Sequence, residues 1–582
     1  MKRASSVALA RVCRLAESLK PTRSSVLSRG SLPGIIVVLL FCFGLLFLAF
    51  RASDRYYEKR LVASDTSYYL MSASLVVSGK NDFRLNRIVN HPAPMPTSDG
   101  GTGVYVLQTF AAWFLRHHLP LRPAMAVLLN GVWFVAMALS LYTLFWSRIG
   151  RWATSAILTI AYLVANPFLP TVQYGITSMD PNLVGFMLGT SALCCTVLSD
   201  RFQRVVPSVL TGVFLGCLCL GRVYTLGVIA PAMLPYVLSC FWRRSWRDVF
   251  ASVLGGSIAL AAAVAICGWF LRAHWQALLA YPTQYGSAGV LNHATFSNGM
   301  WQWLRFPKAA LAENLALACV LTWPLAVSLL AREGRFRDFN FSALWAAIVP
   351  LAVLSHMGTT FQPYGAACLF GVFVALLFPF GKSVATLQRG RYAAVLTVAC
   401  SFSCWAFLGR LHADHTPTKD NKRSTVAALE TMRQDAAGAG RKKVTLALVH
   451  WGALHDAALI DALVMDMGMR VAAPNYQPKR RATNPLIVTP LVADPWAWDA
   501  KVVGDKAITP AAWAERVIQE ADYVLVLAGD RKQDRREGRW PPWVEASDLI
   551  SSSRVFRRLG SPFHVIKDGP VELLVRRQPR PG

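Results

Sequence analysis

The segment that decides how this chain is interpreted follows its first apolar run, and residues 64–79 read SDTSYYLMSASLVVSG. Its apolar side chains recur at the spacing of one face of an α-helix, and Gly79 stands where a helix commonly ends. We expect an amphipathic helix on the outer surface of a membrane, with Asp65 at its N-terminal end. The helix dipole favours an ionised carboxylate there, and an ionised carboxylate can accept a proton from a hydroxyl group. The other interpretation of Asp65 is a helix N-cap without chemical function.

The composition places the chain among membrane proteins. Of its 582 residues, 54% are hydrophobic and only 16% are charged, which is typical of a polytopic membrane protein and not of a soluble enzyme. The formal net charge of +28 does not indicate nucleic-acid binding, because most Lys and Arg residues lie in short loops between apolar runs and in the C-terminal segment. We therefore expect membrane lipids with anionic head groups as partners, and no nucleic acid.

Apolar runs of spanning length predict a polytopic α-helical membrane protein with about 11 transmembrane helices. The runs lie near residues 34–50, 122–146, 152–170, 179–198, 205–222, 225–242, 250–271, 309–331, 341–358, 362–380 and 392–409. Basic residues are concentrated in alternate connectors, and this bias places the N-terminus in the cytoplasm. Three segments then face outward, namely residues 51–119, residues 272–308 and everything after residue 409.

We predict three parts along the chain. They are a basic cytoplasmic tail (1–33), a transmembrane part (34–410) with a long first outer loop (51–119), and a small extracytoplasmic α/β domain (411–582). In the last part, short apolar runs alternate with helix-like stretches at 455–468 and 510–520. All but one of the twelve cysteines lie within or beside apolar spans, and the outer segments contain no glycosylation sequon. These features favour a bacterial inner membrane with the C-terminal domain in the periplasm.

Three polar residues lie near the outer ends of predicted spans. Asp180 precedes a proline at the head of the fourth span, and is either an N-cap or a second acid that faces Asp65 and assists acceptor or metal binding. Arg222 lies between two apolar runs where the chain is outside, against the charge bias, so it predicts an anionic partner such as a phosphate. His356 is either a packing residue or part of a substrate cavity.

These residues resemble a known family. The pattern Asp65-x-x-Tyr68-Tyr69, with His91-Pro92 and a further amphipathic run after it, resembles the first outer loop of the GT-C superfamily. This superfamily of polytopic glycosyltransferases includes the lipid A aminoarabinose transferases and the protein mannosyltransferases. The Asp-Pro pair at Asp180 resembles the second acidic position of the superfamily. The chain departs from the pattern in two places: the frequent Asp-Glu pair is Asp-Thr here, and an insertion follows the His-Pro segment.

The resemblance implies an inverting glycosyltransferase of the hexosyl or pentosyl class. Its donor is a sugar on a polyprenyl phosphate, and its acceptor is a lipid, polysaccharide or protein on the outer face of the membrane. Asp65 is then the general base, and Arg222 stabilises the departing phosphate. The loop 272–308 folds over the donor, and a divalent metal ion is left open as a cofactor. The expected residues of the substrate cavity are His91, Tyr68, Tyr69, His356, Tyr281 and Tyr285.

Two other classes of protein stay open. A lipid-linked sugar flippase or transporter shares the number of spans and the basic cytoplasmic loops. Such a protein usually carries broken helices and charges near the middle of the membrane, and few charges lie within these spans. A non-catalytic membrane partner in envelope glycan assembly is the third class, and it tolerates the loss of the Asp65 carboxylate.

Overall fold

The structure is a computed structural model with a helical part up to residue 414 and a sheet with flanking helices from residue 421 onward. It describes residues 30–59, 124–172, 175–178, 181–222, 225–238, 240–241, 245–287, 314–330, 345–350, 352, 368–377, 385–417, 421–449, 470–471, 486–491, 509–527, 541–560, 563–565 and 569–578.

Ten helices make up the helical part of the described chain, with a further helical stretch at 345–350. They are α1 (Leu32–Lys59), α2 (Met125–Ile149), α3 (Trp152–Val164), α4 (Pro181–Leu198), α5 (Val205–Arg222), α6 (Leu226–Leu238), α7 (Trp246–Ser287), α8 (Leu315–Leu330), α9 (Cys368–Leu377) and α10 (Gly390–Asp414). Among the described residues, four helices are long and apolar enough to cross a membrane, namely α1, α2, residues 246–272 of α7, and α10. Each predicted span overlaps helical residues, so the polytopic helical architecture is confirmed, while the number eleven stays a prediction.

The first helix is longer than the apolar run that predicts it. α1 continues to Lys59, although the prediction begins the first outer loop at residue 51. The buried side chains of α1 form one stripe that reaches Ser53 and Tyr57, so packing against neighbouring helices continues beyond the apolar run. A helix satisfies its own backbone hydrogen bonds, and it therefore needs no change of conformation where it leaves the hydrocarbon.

The third span is only partly helical. α3 ends at Val164, whereas the prediction extends the span to residue 170. The reason is local, because Pro167 and Pro170 lack the amide hydrogen that a helix interior requires, and Asn166 precedes a proline. The chain continues as an irregular, largely buried segment over the described residues 165–172 and 175–178, which we call the buried loop. Irregular backbone at membrane depth is tolerated where protein covers it.

A close helix pair supports the centre of the helical part. α5 lies against α7 through two glycines, and a Cβ added at Gly212 would lie 2.0 Å from the carbonyl oxygen of Ala259. A Cβ added at Gly216 would lie 2.9 Å from the carbonyl oxygen of Ala263. Small residues four apart let two helix backbones approach closely, which is a common way of packing helices in membranes.

The helix α7 is longer than a membrane is thick. It has 42 residues and therefore a length of about 63 Å, against about 30 Å for the hydrocarbon core. The exposed side chains of Trp246 and Trp269 lie about 35 Å apart along this helix, which matches two membrane interfaces. The residues that follow continue as helix to Ser287, so the predicted outer segment 272–308 begins as helix and not as loop, while its position outside the membrane stays a prediction.

In the C-terminal part, the described residues form a seven-stranded sheet with three helices, and the predicted α/β architecture is confirmed at this level. The elements are α11 (Asn421–Gly438), β1 (Lys443–Val449), β2 (Arg470–Val471), β3 (Ile487–Leu491), α12 (Pro510–Glu520), β4 (Tyr523–Leu527), α13 (Pro541–Ser552), β5 (Phe556–Arg558), β6 (Phe563–Val565) and β7 (Gly569–Arg576). The strand order is β2-β3-β1-β4-β7-β5, with β6 paired to β7. The first four strands in this order are parallel, and β7 is antiparallel to β4, β5 and β6.

Helices cover both faces of this sheet. Trp513 and Val517 of α12 and Ile550 of α13 pack on the face that carries Val524 and Val526 of β4. Successive side chains of a strand point to opposite faces, so Tyr523 lies on the other face. There its hydroxyl donates a 2.6 Å hydrogen bond to a carboxylate oxygen of Asp435 on α11.

One helix joins the two parts of the chain. The Lys422 side chain at the start of α11 donates a 3.3 Å hydrogen bond from Nζ to the carbonyl oxygen of Tyr57 near the end of α1. The same helix packs on β6 and β7. α10 also continues to Asp414, past the end of the run predicted at residue 409. The transition at residues 410–411, where we predict the last part to begin, therefore lies within a helix.

Candidate functional site

The structure describes the surroundings of the predicted site and not its central side chains. Six of the predicted residues lie outside the described residues: Asp65, Tyr68, Tyr69, His91, Asp180 and His356. Three others lie in described helices, where only the backbone is described: Arg222, Tyr281 and Tyr285. The site is therefore built from the segments that lead into these positions.

The segments that precede the two predicted acids are both described. α1 ends at Lys59, six residues before Asp65, and its last turns carry Tyr56 and Tyr57. The buried loop ends at Ser178, and α4 begins at Pro181, so Asp180 has a described residue on each side within two positions. The contacts that fix these flanking residues therefore also restrict where Asp65 and Asp180 can lie.

The end of the buried loop is held by α2. The Asn130 side chain donates both amide hydrogens, one to the carbonyl oxygen of Ile176 at 3.0 Å and one to that of Ser178 at 2.6 Å. Asn130 is itself buried in the helix interior. A buried amide that satisfies two loop carbonyls fixes the loop against the helix, because leaving those groups unpaired is costly.

The loop also needs a glycine. A Cβ added at Gly175 would lie 2.2 Å from the carbonyl oxygen of Thr171 and 2.4 Å from that of Leu169. The amide of Gly175 donates to the Thr171 carbonyl at 3.0 Å, and the amide of Ile176 donates to the Leu169 carbonyl at 2.9 Å. The turn closes on itself so tightly that no larger residue fits at position 175 without movement of backbone.

The last transmembrane helix holds the loop from the other side. The guanidinium of Arg410 on α10 donates a 3.0 Å hydrogen bond to the carbonyl oxygen of Pro167. His415, which follows the last residue of α10, places Nε2 2.9 Å from Oγ1 of Thr177. Thr177 and His415 are both buried, and they are 238 positions apart in the chain.

His415 also contacts the first helix. Its ring lies edge-on to the ring of Tyr56, with 5.9 Å between the ring centres. One histidine therefore contacts both the loop that precedes Asp180 and the helix that precedes Asp65. Among the described residues, this is where the structure brings the two acid-bearing segments together.

The protonation of His415 follows from its partners. Nδ1 lies 2.8 Å from the carbonyl oxygen of Leu411, which can only accept, so Nδ1 carries the hydrogen. In the neutral ring Nε2 is then the acceptor, and the hydroxyl of Thr177 donates to it. Burial lowers the pKa of His415 below its usual value, while the Leu411 carbonyl and the charge of Asp414 oppose this shift.

The backbone positions of the other predicted residues are described. Arg222 is the last residue of α5, and α6 begins at Leu226, so the backbone of Arg222 lies four positions before the next apolar helix. Tyr281 and Tyr285 lie in the part of α7 that continues beyond Arg272, and not in a loop as predicted. Residues 272–287 of the segment expected to cover the donor are therefore helical, and the covering of a donor by residues 272–308 stays a prediction.

The described residues contain no group of three or more metal-ligating side chains. Asp65 and Asp180 lie outside the described residues. A metal ion at these two acids therefore stays an open alternative from the sequence. His450, His455 and Asp456, in the C-terminal part, also lie outside the described residues.

Sequence reasoning missed Asn130, Thr177 and His415. A signal was present, since two prolines and an asparagine stand inside the predicted third span, and eight mostly polar residues follow it. That pattern indicates a span that breaks off before its end, which requires partners for the freed backbone groups. The identity of those partners depends on helices far away in the chain, and no local pattern marks them.

Comparison with known proteins rests on structure alone. The sequence matches no protein-family model, and no curated protein matches it.

The fold has solved counterparts. The chain is similar to the crystal structure of ArnT from Cupriavidus metallidurans in the apo state, with a TM-score of 0.56 and 12% sequence identity. The match covers 92% of this chain and 97% of that chain. The crystal structure of ArnT from the same organism bound to undecaprenyl phosphate matches over the same shares, with a TM-score of 0.51 and 11% identity. ArnT is a member of the GT-C superfamily, so the predicted resemblance is confirmed for the fold.

Proposed function

We propose that this chain is a membrane glycosyltransferase that takes a sugar from a polyprenyl-phosphate donor. The observation that carries the proposal is the fold, which is similar over 92% of the chain to ArnT in a structure bound to undecaprenyl phosphate. The contacts of His415 add support, because they join the two segments that lead to the predicted acids. The sugar, of the hexosyl or pentosyl class, passes to a lipid, polysaccharide or protein acceptor.

The proposed reaction is a direct displacement at the anomeric carbon. The acceptor hydroxyl oxygen attacks this carbon from the face opposite the phosphate, and its proton passes to the carboxylate of Asp65. The bond between the anomeric carbon and the phosphate oxygen breaks, and polyprenyl phosphate leaves with the negative charge. Arg222 stabilises that charge, and a well-aimed group of this kind contributes about 3–4 kcal/mol. Asp180 assists acceptor or metal binding.

The proposed orientation follows the charge bias of the connectors. The tail 1–33 lies in the cytoplasm of a bacterium, the transmembrane part 34–410 crosses its inner membrane, and the domain 411–582 lies in the periplasm. The ends of α1 and α10 that meet at His415 are then on the outer side, where the acceptor is found. The lipid tail of the donor lies in the membrane beside the helices.

The test of this proposal replaces the proposed base. Asp65→Asn removes the proton acceptor and keeps the size of the side chain, so we expect sugar transfer to fall by about 10²–10⁴-fold. The measurement is mass spectrometry of envelope lipids and glycans from a deletion strain that carries the wild-type or the variant chain. A product that is missing in the deletion strain identifies the sugar and the acceptor together.

The matched control is Glu58→Gln, which neutralises an exposed acid of α1 seven residues earlier. We expect this variant to restore the product fully. If Asp65→Asn restores the product to the wild-type level, Asp65 is not the general base. A flippase or a non-catalytic partner is then favoured instead. The amounts of both variants in the membrane are compared by immunoblot, so that loss of product is separated from loss of protein.

A further inference from the structure

Three consecutive residues at the end of the buried loop are each held by a distant helix. The carbonyl oxygens of Ile176 and Ser178 accept from Asn130 of α2, and the hydroxyl of Thr177 between them pairs with His415 after α10. Successive residues held from two sides have little freedom to rotate or slide. Pro181, three positions after Ser178, then begins α4.

We propose that Thr177 and His415 are positioning residues, whose hydrogen bond sets the placement of the segment entering α4 relative to the outer end of α1. This inference rests on the proposed function, in which the segment entering α4 carries Asp180 and the segment leaving α1 carries Asp65. In the proposed reaction, neither Thr177 nor His415 contacts the substrate. They act through the two acids.

The chemistry of the Thr177–His415 pair favours a role in positioning over a role in stabilising the fold. Burying a hydroxyl and an imidazole costs free energy that the hydrogen bond between them only offsets, and an apolar pair of similar volume packs at least as well. What a buried polar pair adds is a fixed geometry, because only one arrangement satisfies both groups.

The hydrogen positions make the pair directional. With the Nδ1 hydrogen on the Leu411 carbonyl, Nε2 of His415 must accept from the hydroxyl of Thr177. The Thr171 carbonyl is the other acceptor near that hydroxyl, at the longer distance of 3.4 Å. Valine at position 177 therefore leaves Nε2 unpaired, whereas serine retains the donor.

The contact with α1 completes the link. The ring of Tyr56 lies against His415, and the carbonyl of the next residue, Tyr57, accepts from Lys422 of α11. The outer end of α1 is thus held by an aromatic contact on one side and by a lysine on the other. A shift of His415 alters the positions of both acid-bearing segments at once.

The experiment compares Thr177→Val with Thr190→Val. Thr190 is equally buried, and its hydroxyl pairs with that of Tyr162 at 3.1 Å within the helical part. Each substitution replaces one buried hydroxyl with a methyl group and keeps the shape of the side chain, so the two effects on thermal stability should be similar. The assay uses the purified chain with the sugar donor and acceptor that the deletion strain identifies. We expect Thr177→Val to lower kcat for this transfer at least tenfold, with KM for that donor within about twofold of the wild type. We expect Thr190→Val to retain at least half of the wild-type kcat.

Rescue and coupling distinguish positioning from stability. Thr177→Ser should restore kcat to within about threefold of the wild type, because it retains the donor. His415→Gln should also lower kcat, and the double variant with Thr177→Val should be no slower than the slower single variant. Hydrogen exchange at the first amides of α4 should be faster in Thr177→Val and unchanged in Thr190→Val.

The outcomes separate this inference from the proposed function. Equal loss of kcat in Thr177→Val and Thr190→Val, or wild-type kcat in Thr177→Val, overturns the positioning role and leaves the transferase intact. Absence of any transfer by the wild-type chain in the deletion strain overturns the proposed function itself. Failure of serine to rescue, with normal folding, also overturns the positioning role.

Discussion

His415 is buried with one ring nitrogen on the Leu411 carbonyl and the other on Thr177, and this arrangement opposes a second proton on the ring. Asp414 and Tyr56 are the titratable side chains beside it. A protonated Nε2 can no longer accept from Thr177, so the hydroxyl must turn towards the more distant Thr171 carbonyl. The contact then persists with Nε2 as the donor, and the cost of protonation comes from burial, which lowers the pKa of His415.

The lowered pKa of His415 predicts a loss of stability in mild acid. Below about pH 6.5, His415 binds a proton more readily in the unfolded chain than in the folded chain. The free energy of unfolding therefore falls as the pH decreases. Above that pH neither state is protonated at His415, and its contribution is constant. We expect the apparent melting temperature of the purified chain to fall more steeply between pH 7 and pH 5 in the wild type than in His415→Gln.

The control for this measurement is His412→Gln, which replaces an exposed histidine of the same helix turn. Its melting curve should follow that of the wild type across the pH range. Identical pH profiles for the wild type and His415→Gln would mean that His415 does not titrate differently in the folded chain.

At the scale of elements, α5 packs closely against α7. Gly212 leaves no space for a methyl group, since an added Cβ would lie 2.0 Å from a backbone oxygen that cannot turn away. Gly256 on α7 has nothing within 4 Å of the same position. The two glycines lie in one helix pair and differ in the space around them.

This difference predicts opposite effects of the same substitution. Gly212→Ala should force α5 and α7 apart and lower the free energy of unfolding by roughly 1–3 kcal/mol. Gly256→Ala should stabilise the chain by up to about 1 kcal/mol, because alanine favours the helix over glycine. The measurement is thermal unfolding in detergent micelles. Equal melting temperatures for the two variants would contradict the close approach of these helices.

At the scale of the whole molecule, α11 connects the helical part to the sheet. Its first turn reaches α1 through Lys422, and its last turns reach β4 through the hydrogen bond from Tyr523 to Asp435. Burial raises the pKa of Tyr523, and the nearby carboxylate of Asp435 raises it further, so the phenol stays protonated and donates. Within the described residues, α11 therefore contacts both the helical part and the sheet.

Removal of the phenol hydroxyl should loosen this attachment. Tyr523→Phe leaves the ring in place and removes a hydrogen bond to a charged group, which typically contributes about 1.5–3 kcal/mol. We expect faster limited proteolysis near α11, with the helical part unaffected. Thr431→Val is the control, because its hydroxyl bonds only to the Ala427 carbonyl within α11. Equal cleavage rates in both variants would show that the bond to Asp435 contributes little.

The sequence by itself determines the architecture of this protein. Runs of apolar residues mark the helices because hydrocarbon accepts only backbone whose hydrogen bonds are satisfied within the segment. The alternating short apolar runs predict β1, β4, β6 and β7, and Thr509-Pro510 marks the start of α12 through a side-chain cap and a proline in the first turn. The sequence did not predict the short strands β2, β3 and β5 or the helix α13, because their apolar residues show little periodicity.

Only the tertiary structure decided how the ends of α1 and α10 meet the buried loop. The broken third span follows from Pro167 and Pro170, but its partners Asn130, Arg410 and His415 come from α2 and α10, up to 243 positions away. Several hydrogen bonds of the buried loop are non-local, because irregular backbone satisfies only part of its own groups and the rest must pair with side chains that the packing of helices brings near. For this reason the sequence indicates the acids and the membrane, while the contact of Thr177 with His415 becomes visible only in the folded chain.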